Sequence, residues 1–378
     1  MPVVRRLVAG AAVAGATVLG FSAPAFASPA HHDQRGEQPV FVQTDSPSGN
    51  QVVAYDRGAD GRLTQAGVYA TGGKGGQLGG SVVDHTASQG SLAYDPATHE
   101  LLAVNAGSDS VSVFSVRGDR LALRQVVRSG GDFPVSIAVH GPDVYVLNGL
   151  GGGTVQGFFD LAGFLLPLPG SHRALGLDPT ETPQFTSTPG QVAVSPDGRQ
   201  LIVTTKNNGN DVDVFGIGPL GTLAPAPVVN SEPNTVPFAV TWDAGGHLLL
   251  AEAGTNAVAS FALQRDGVLV PLSSVATGQA ATCWITGRGH TVYASNAGSG
   301  TLSTVTAAPD GTLADTATTP TDAGTVDAAL APGGGWLYVQ TGAAGVVDTF
   351  RVGASGSLSE VGSVTVPDAA GGEGIVAL

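Results

Sequence analysis

The sequence predicts an all-β chain folded as a seven-bladed β-propeller, each blade a four-stranded antiparallel sheet. Three observations carry this reading. One strand-turn-strand pattern recurs seven times, its spacing is near 44 residues, and the runs between turns alternate apolar and polar residues with period two.

The clearest copies are "LLAVNAGSDSVSVFSVRGDRLALRQVV", "LLLAEAGTNAVASFALQRDGVLVPLSSV", "TVYASNAGSGTLSTVTAAPDGTLADTAT" and "WLYVQTGAAGVVDTFRVGASGSLSEVGSV". Aligning the residue that ends the second strand of each unit selects Gln43, Asn105, Asn148, Thr205, Glu252, Asn296 and Gln340. Such a period holds four short strands, which is the length of a propeller blade and longer than a strand-rich solenoid repeat. The 56 glycines and 24 prolines supply turns, among them an Asp-Gly-x-Leu turn before the outer strand. Two intervals exceed the period, which places insertions at a Gly-rich loop around Gly72 to Thr86 and a Pro-rich segment around Phe159 to Thr188. The first unit, starting at Val40, lacks an innermost strand, and a surplus strand follows the last unit near Gly374 to Ala377. Joining the C-terminal strand to the first blade closes the ring and removes an open sheet edge.

Three segments are expected: a signal peptide over residues 1–27, a flexible mature N-terminus over 28–39, and the propeller over 40–378. Arg5 and Arg6 precede an apolar run from Leu7 to Phe21, and Ala25-Phe26-Ala27 offers a small-x-small cleavage site. General secretion and twin-arginine export both fit, and the protein is expected to be secreted and extracellular. No later run reaches the roughly 20 apolar residues of a membrane span.

The net charge is −14, and it becomes −16 once Arg5 and Arg6 are removed. Such a surface repels polyanions, so nucleic acid is not an expected partner. Cys283 is the only cysteine, leaving no internal disulfide. The expected partner is a small molecule or glycan, bound by a monomer without cofactor or metal.

In a propeller the outer-to-inner loops and the loops between second and third strands meet on one face around the channel. The first set reads "SQGS" (88–91), "FPVS" (133–136), "TPGQ" (188–191), "VPFA" (236–239), "ATCW" (281–284), "GTVD" (324–327) and "GGEG" (371–374). The mouth is therefore rich in amides, and Gln89, Gln191, Asn105, Asn148, Asn296 and Trp284 are candidate ligand-binding residues. Lys206 and Glu252 lie at matching positions of adjacent units, so they are candidates for a catalytic pair or for a loop-stabilising ion pair. Cys283 has no histidine in the equivalent loops and reads as a buried structural residue. Asp84-His85 lies in the first insertion, where it could fold over the channel.

The strings "AVNAGSDSVSVF", "QVAVSPDGRQLIVTTK" and "AEAGTNAVASFAL" resemble the seven-bladed propeller lactonase family, which includes bacterial 6-phosphogluconolactonase and the carboxymuconate cyclases, and they also resemble the YVTN-type repeats of surface-layer proteins. The resemblance runs from Val40 onward and implies a lactone hydrolase or cyclase. It places Glu252 at the family's glutamate, with a one-residue ambiguity. Thr188-Pro189-Gly190-Gln191 stands where the family has a histidine, and Val236-Pro237-Phe238 where it has an arginine. Glu252 is then the candidate base, with Lys206 or Gln191 facing the oxyanion. The alternative is a non-catalytic extracellular propeller binding a glycan, peptide or cell-wall ligand.

Overall fold

Alternation is the rule from which the ring follows. In Pro39–Gln43, Val40 and Val42 point to one side of the sheet and Phe41 to the other, and all are fully buried. The first two join a cluster with Tyr338 and Val347, while Phe41 joins another with Leu101 and Phe114. Each sheet thus buries both faces, one against each neighbour, so the strands alternate in direction without alternating in polarity. Seven such clusters lie at seven blade interfaces, which closes the circle.

The computed structural model describes residues 38–378. The expected signal peptide and most of the expected mature N-terminus lie outside these residues. Blades 2 to 7 open on the inner strands Leu92–Asp95, Pro134–His140, Val192–Val194, Pro237–Trp242, Thr282–Arg288 and Thr325–Leu330. Blade 1 takes its inner strand from the far end of the sequence. Ile375–Ala377 pairs antiparallel with Pro39–Gln43, matching Val42 to Ile375 and Val40 to Ala377, and Gln51–Arg57 and Leu63–Ala70 complete the sheet. Among the described residues helix is confined to single turns, including Gln184–Ser187 and Lys206–Gly209.

The Gly-x-Leu turn before the outer strand has a structural purpose. Tyr145, Tyr293 and Tyr338 occupy equivalent buried positions, and each hydroxyl donates at 2.9 Å to the carbonyl of Gly221, Gly356 or Gly61 in the hairpin of the next blade. Those glycines hold φ between 74° and 84°, a conformation that a side chain would strain. Replacing Tyr338 by Phe leaves the buried Gly61 carbonyl without its donor. The expected cost is about 1–2 kcal/mol, read from denaturant unfolding.

Both insertions depart from the blade pattern as expected. The outer strand of blade 3 is broken into Leu165–Pro167 and Arg173–Ala174, which pair with opposite ends of Thr154–Asp160. The chain then leaves the sheet and returns over the channel mouth.

Candidate functional site

The two insertions and the loops of blades 4, 5 and 6 enclose a cavity of about 410 Å³ at the mouth. Its wall is mostly apolar, with Val83 and Ala87 from the first insertion, Phe185 from the second, Phe238 from blade 5 and Trp284 from blade 6. The rings of Phe238 and Trp284 meet at 4.9 Å between centroids, tilted by 60°. The polar groups on the wall are few, chiefly Ser81, Asp84, Thr186, Lys206 and Cys283.

Lys206 lies fully buried. Its Nζ donates to the carbonyls of Ala87 (2.6 Å) and Phe185 (2.8 Å) and to Thr188 Oγ1 (3.2 Å), and it lies 5.2 Å from the centre of the Phe238 ring. The Thr188 hydroxyl spends its proton on the Gln184 carbonyl, so it meets Lys206 as an acceptor. Three acceptors use all three ammonium protons. Burial pushes Lys206 down to about 7, opposed by Asp84 and Cys283. These contacts fasten both insertions to blade 4.

Cys283 is buried beside it, as the sequence suggests. Burial pushes its thiol up to about 12, with Lys206 pulling the other way, so the sulfur stays protonated and is a poor nucleophile. Asp84 is also buried. Its carboxylate accepts the Thr86 and Ser88 N–H groups at 2.8 Å and the Thr86 hydroxyl at 2.9 Å, while desolvation raises its pKa.

Four of the non-glycine residues with positive φ lie on this wall. Ala87, Lys206, Val236 and Ala281 all hold φ between 47° and 56°. For β-branched Val236 this is an uncommon conformation, of the kind that concentrates at ligand sites.

The structure separates the residues singled out in the sequence. Lys206 and Trp284 line the cavity; Glu252 does not. The Glu252 carboxylate accepts the Thr255 hydroxyl at 2.8 Å and is raised by burial, and no ion pair joins it to Lys206. Trp284 donates Nε1–H to the Ser88 carbonyl at 2.6 Å, leaving its ring for the cavity. Gln89 is a strut across the channel: its amide accepts from Ile285 N–H (2.8 Å) and donates to the Ile285 carbonyl (3.0 Å). Gln191 accepts the Val240 N–H at 2.6 Å, bridging blades 4 and 5.

Inner strands are sheet edges, and these glutamines satisfy edge groups that would otherwise be bare. Asn105, Asn148 and Asn296 are fully buried within their blades, bonded to Ser112, Thr154 and Thr282 among others. Asp84, Phe185 and Phe238 escaped the ligand-binding reading. Asp84 lay in an insertion with no repeat partner to align, and the two phenylalanines carry no polar signal.

Among the described residues no group of three or more His, Cys, Asp or Glu side chains is arranged to hold a metal ion. No helix there is long and apolar enough to cross a membrane.

No family model matches the chain, and no curated protein sequence matches it. Solved structures do. A protein from Lactobacillus plantarum is 21% identical over 90% of this chain and 99% of its own, with a TM-score of 0.75. The periplasmic gluconolactonase of Pseudomonas aeruginosa is 20% identical over 90% and 99%, with a TM-score of 0.73. A Bacteroides fragilis protein assigned as a 6-phosphogluconolactonase is 18% identical over 93% and 99%, at 0.71. The fold is the propeller that these structures share. At these identities the likeness describes the ring, and the chemistry has to be argued from the cavity.

Proposed function

We propose that the protein is an exported lactonase-type propeller whose mouth cavity binds a small, largely apolar carbonyl compound, of which an alkyl- or aryl-substituted lactone is the best fit. The apolar wall carries this reading. A phosphorylated or polyhydroxylated lactone needs several cations or hydrogen-bond partners, whereas the one lysine at the cavity is committed to three protein oxygens. Glycans and peptides meet the same shortage. The aromatic pair Phe238 and Trp284 instead offers a face for an apolar substituent.

The test is calorimetric titration of the 28–378 protein with alkyl-substituted γ- and δ-lactones beside glucono-δ-lactone. The alkyl compounds are expected to bind saturably, and Trp284→Ala is expected to weaken binding roughly thirtyfold, about 2 kcal/mol. Binding of the sugar lactone alone would reject the proposal.

Ring opening is the second reading, favoured by the fold shared with a periplasmic gluconolactonase. It assigns Glu252 as base and Gln191, or Lys206 once it releases Thr188, to the oxyanion, and its support in the cavity is that Ala253 and Gly254, next to Glu252, form part of the wall. Nuclear magnetic resonance of the bound lactone reads turnover directly. Because Glu252 is held by Thr255 away from the wall, Glu252→Gln is expected to leave affinity within about twofold. A large loss of turnover in that variant would make Glu252 catalytic.

A further inference from the structure

The seam that closes the ring is lined by acids. Glu373, just before the closing strand, is fully buried. Its carboxylate accepts the N–H groups of Gly90 (2.9 Å) and Ser91 (3.3 Å) in the blade 2 loop, and its own N–H donates to Asp45 Oδ2 (2.9 Å) in blade 1. Its carbonyl accepts the Ser91 hydroxyl at 2.8 Å. Asp327, in the inner strand of blade 7, accepts the N–H groups of Ile375 (3.2 Å) and Ala328 (2.9 Å), so its carboxyl and that of Glu373 are both buried against the start of the closing strand. Carboxyl groups buried together at one seam disfavour carrying charge at the same time, and a proton kept on one relieves both the desolvation and the repulsion.

A second observation points the same way. The amide oxygens of Gln43 and Gln340, both nearly completely buried, have no donor. They sit in the seam itself: the Gln43 amide nitrogen donates to Asp45, and the Gln340 amide nitrogen donates to the Gln43 carbonyl at 3.1 Å. Gly372 packs against the same carbonyl and the Gln340 amide. Acceptors are in surplus here, so the missing element is donated protons.

The remaining titratable groups around the seam are Asp84, Lys206, Cys283 and His85. Asp84 adds a fourth acid. Lys206 and Cys283 line the cavity with Asp84, where the Lys206 charge acts on Asp84, and the His85 ring packs on Gly371.

We propose that this seam is a proton-held clasp, in which protons kept on the buried carboxyl groups of Asp45, Asp327 and Glu373 let the closing strand stay fastened to blades 1, 2 and 7, and their loss releases it. The clasp is independent of what the cavity binds. Burial raises Asp45 and Asp327 each to about 7, and raises Glu373 well above the usual range, with Asp327, Asp84 and Asp45 adding to the effect. A carboxyl raised on folding keeps a proton that the unfolded chain has lost. Its stabilisation is therefore complete below about pH 4 and disappears as pH rises through about 7. Each proton released on opening multiplies the opening constant by about ten per pH unit.

Hydrogen exchange of the Ile375–Ala377 amides, corrected for intrinsic rates, tests this between pH 5 and 8. Protection is expected to fall at least tenfold across that range. Glu373→Gln and Asp327→Asn should each flatten the dependence and raise protection at pH 8. Protection independent of pH, or a variant keeping the full dependence, overturns the clasp. Should a variant not fold, the infrared carbonyl stretch of protonated carboxyl groups must persist in the unaltered protein at pH 6.5; its absence overturns the proposal. Calcium and chelator are expected to change nothing, and calcium restoring protection at pH 8 would replace protons with a cation and overturn it as well.

Discussion

Deleting residues 375–378 is expected to destabilise the whole ring by on the order of 5 kcal/mol or more and to expose a sheet edge that promotes association. The deleted residues contribute the antiparallel pairing with Val40 to Val42, the bond from Leu378 N–H to Pro39, and the burial of Ile375 in the cluster between blades 1 and 7. Burying an isoleucine side chain contributes roughly 2–3 kcal/mol, and each lost backbone bond adds about 1. The loss is not local, because a ring opened at one interface leaves blades 1 and 7 each with an uncovered face. Thermal unfolding reads the outcome, and an unchanged melting temperature would mean that the ring is not closed by this strand.

Lys206→Met is expected to cost about 3 kcal/mol and to loosen both insertions, since it strips the donor from two backbone carbonyls and from Thr188 at once. Exchange of the segments around Ala87 and Phe185 should quicken together, which separates this role from a purely catalytic one. The pH dependence has a definite sign. Because burial lowers the Lys206 pKa to about 7, the folded protein binds fewer protons than the unfolded chain between about pH 7 and 10, and this group's contribution to stability rises over that window. In Lys206→Met that rise should vanish.

The fold was legible because burial on both faces imposes a pattern that each blade must repeat. Even the surplus strand at Gly374 to Ala377 could be assigned to blade 1, since a missing inner strand and an extra final one have a single economical solution. The mouth was less legible. Repeat alignment correctly gathers the loops that carry Gln89, Gln191 and Trp284, but it cannot tell a side chain facing a ligand from one capping a sheet edge. Gln89 and Gln191 turned out to bond Ile285 and Val240. The asparagines recur because a buried strand end needs an internal amide, so repetition there signals structure. The cavity itself owes much to the two insertions, which align with no other unit, and the lysine that ties them down was read as a partner of Glu252 because the acceptors it bonds lie in or beside those unaligned segments. The acids of the seam lie in plain sight in "GTVD" and "GGEG", yet their convergence depends on which loops face each other across the closed circle.

A crystal structure of the protein with a bound alkyl-substituted lactone tests the central assignment most directly. The ligand is expected inside the mouth cavity with its substituent against Phe238 and Trp284 and with the Lys206 contacts intact. A lactone seated elsewhere on the ring, or one that enters only after Lys206 abandons Ala87 and Phe185, would contradict it.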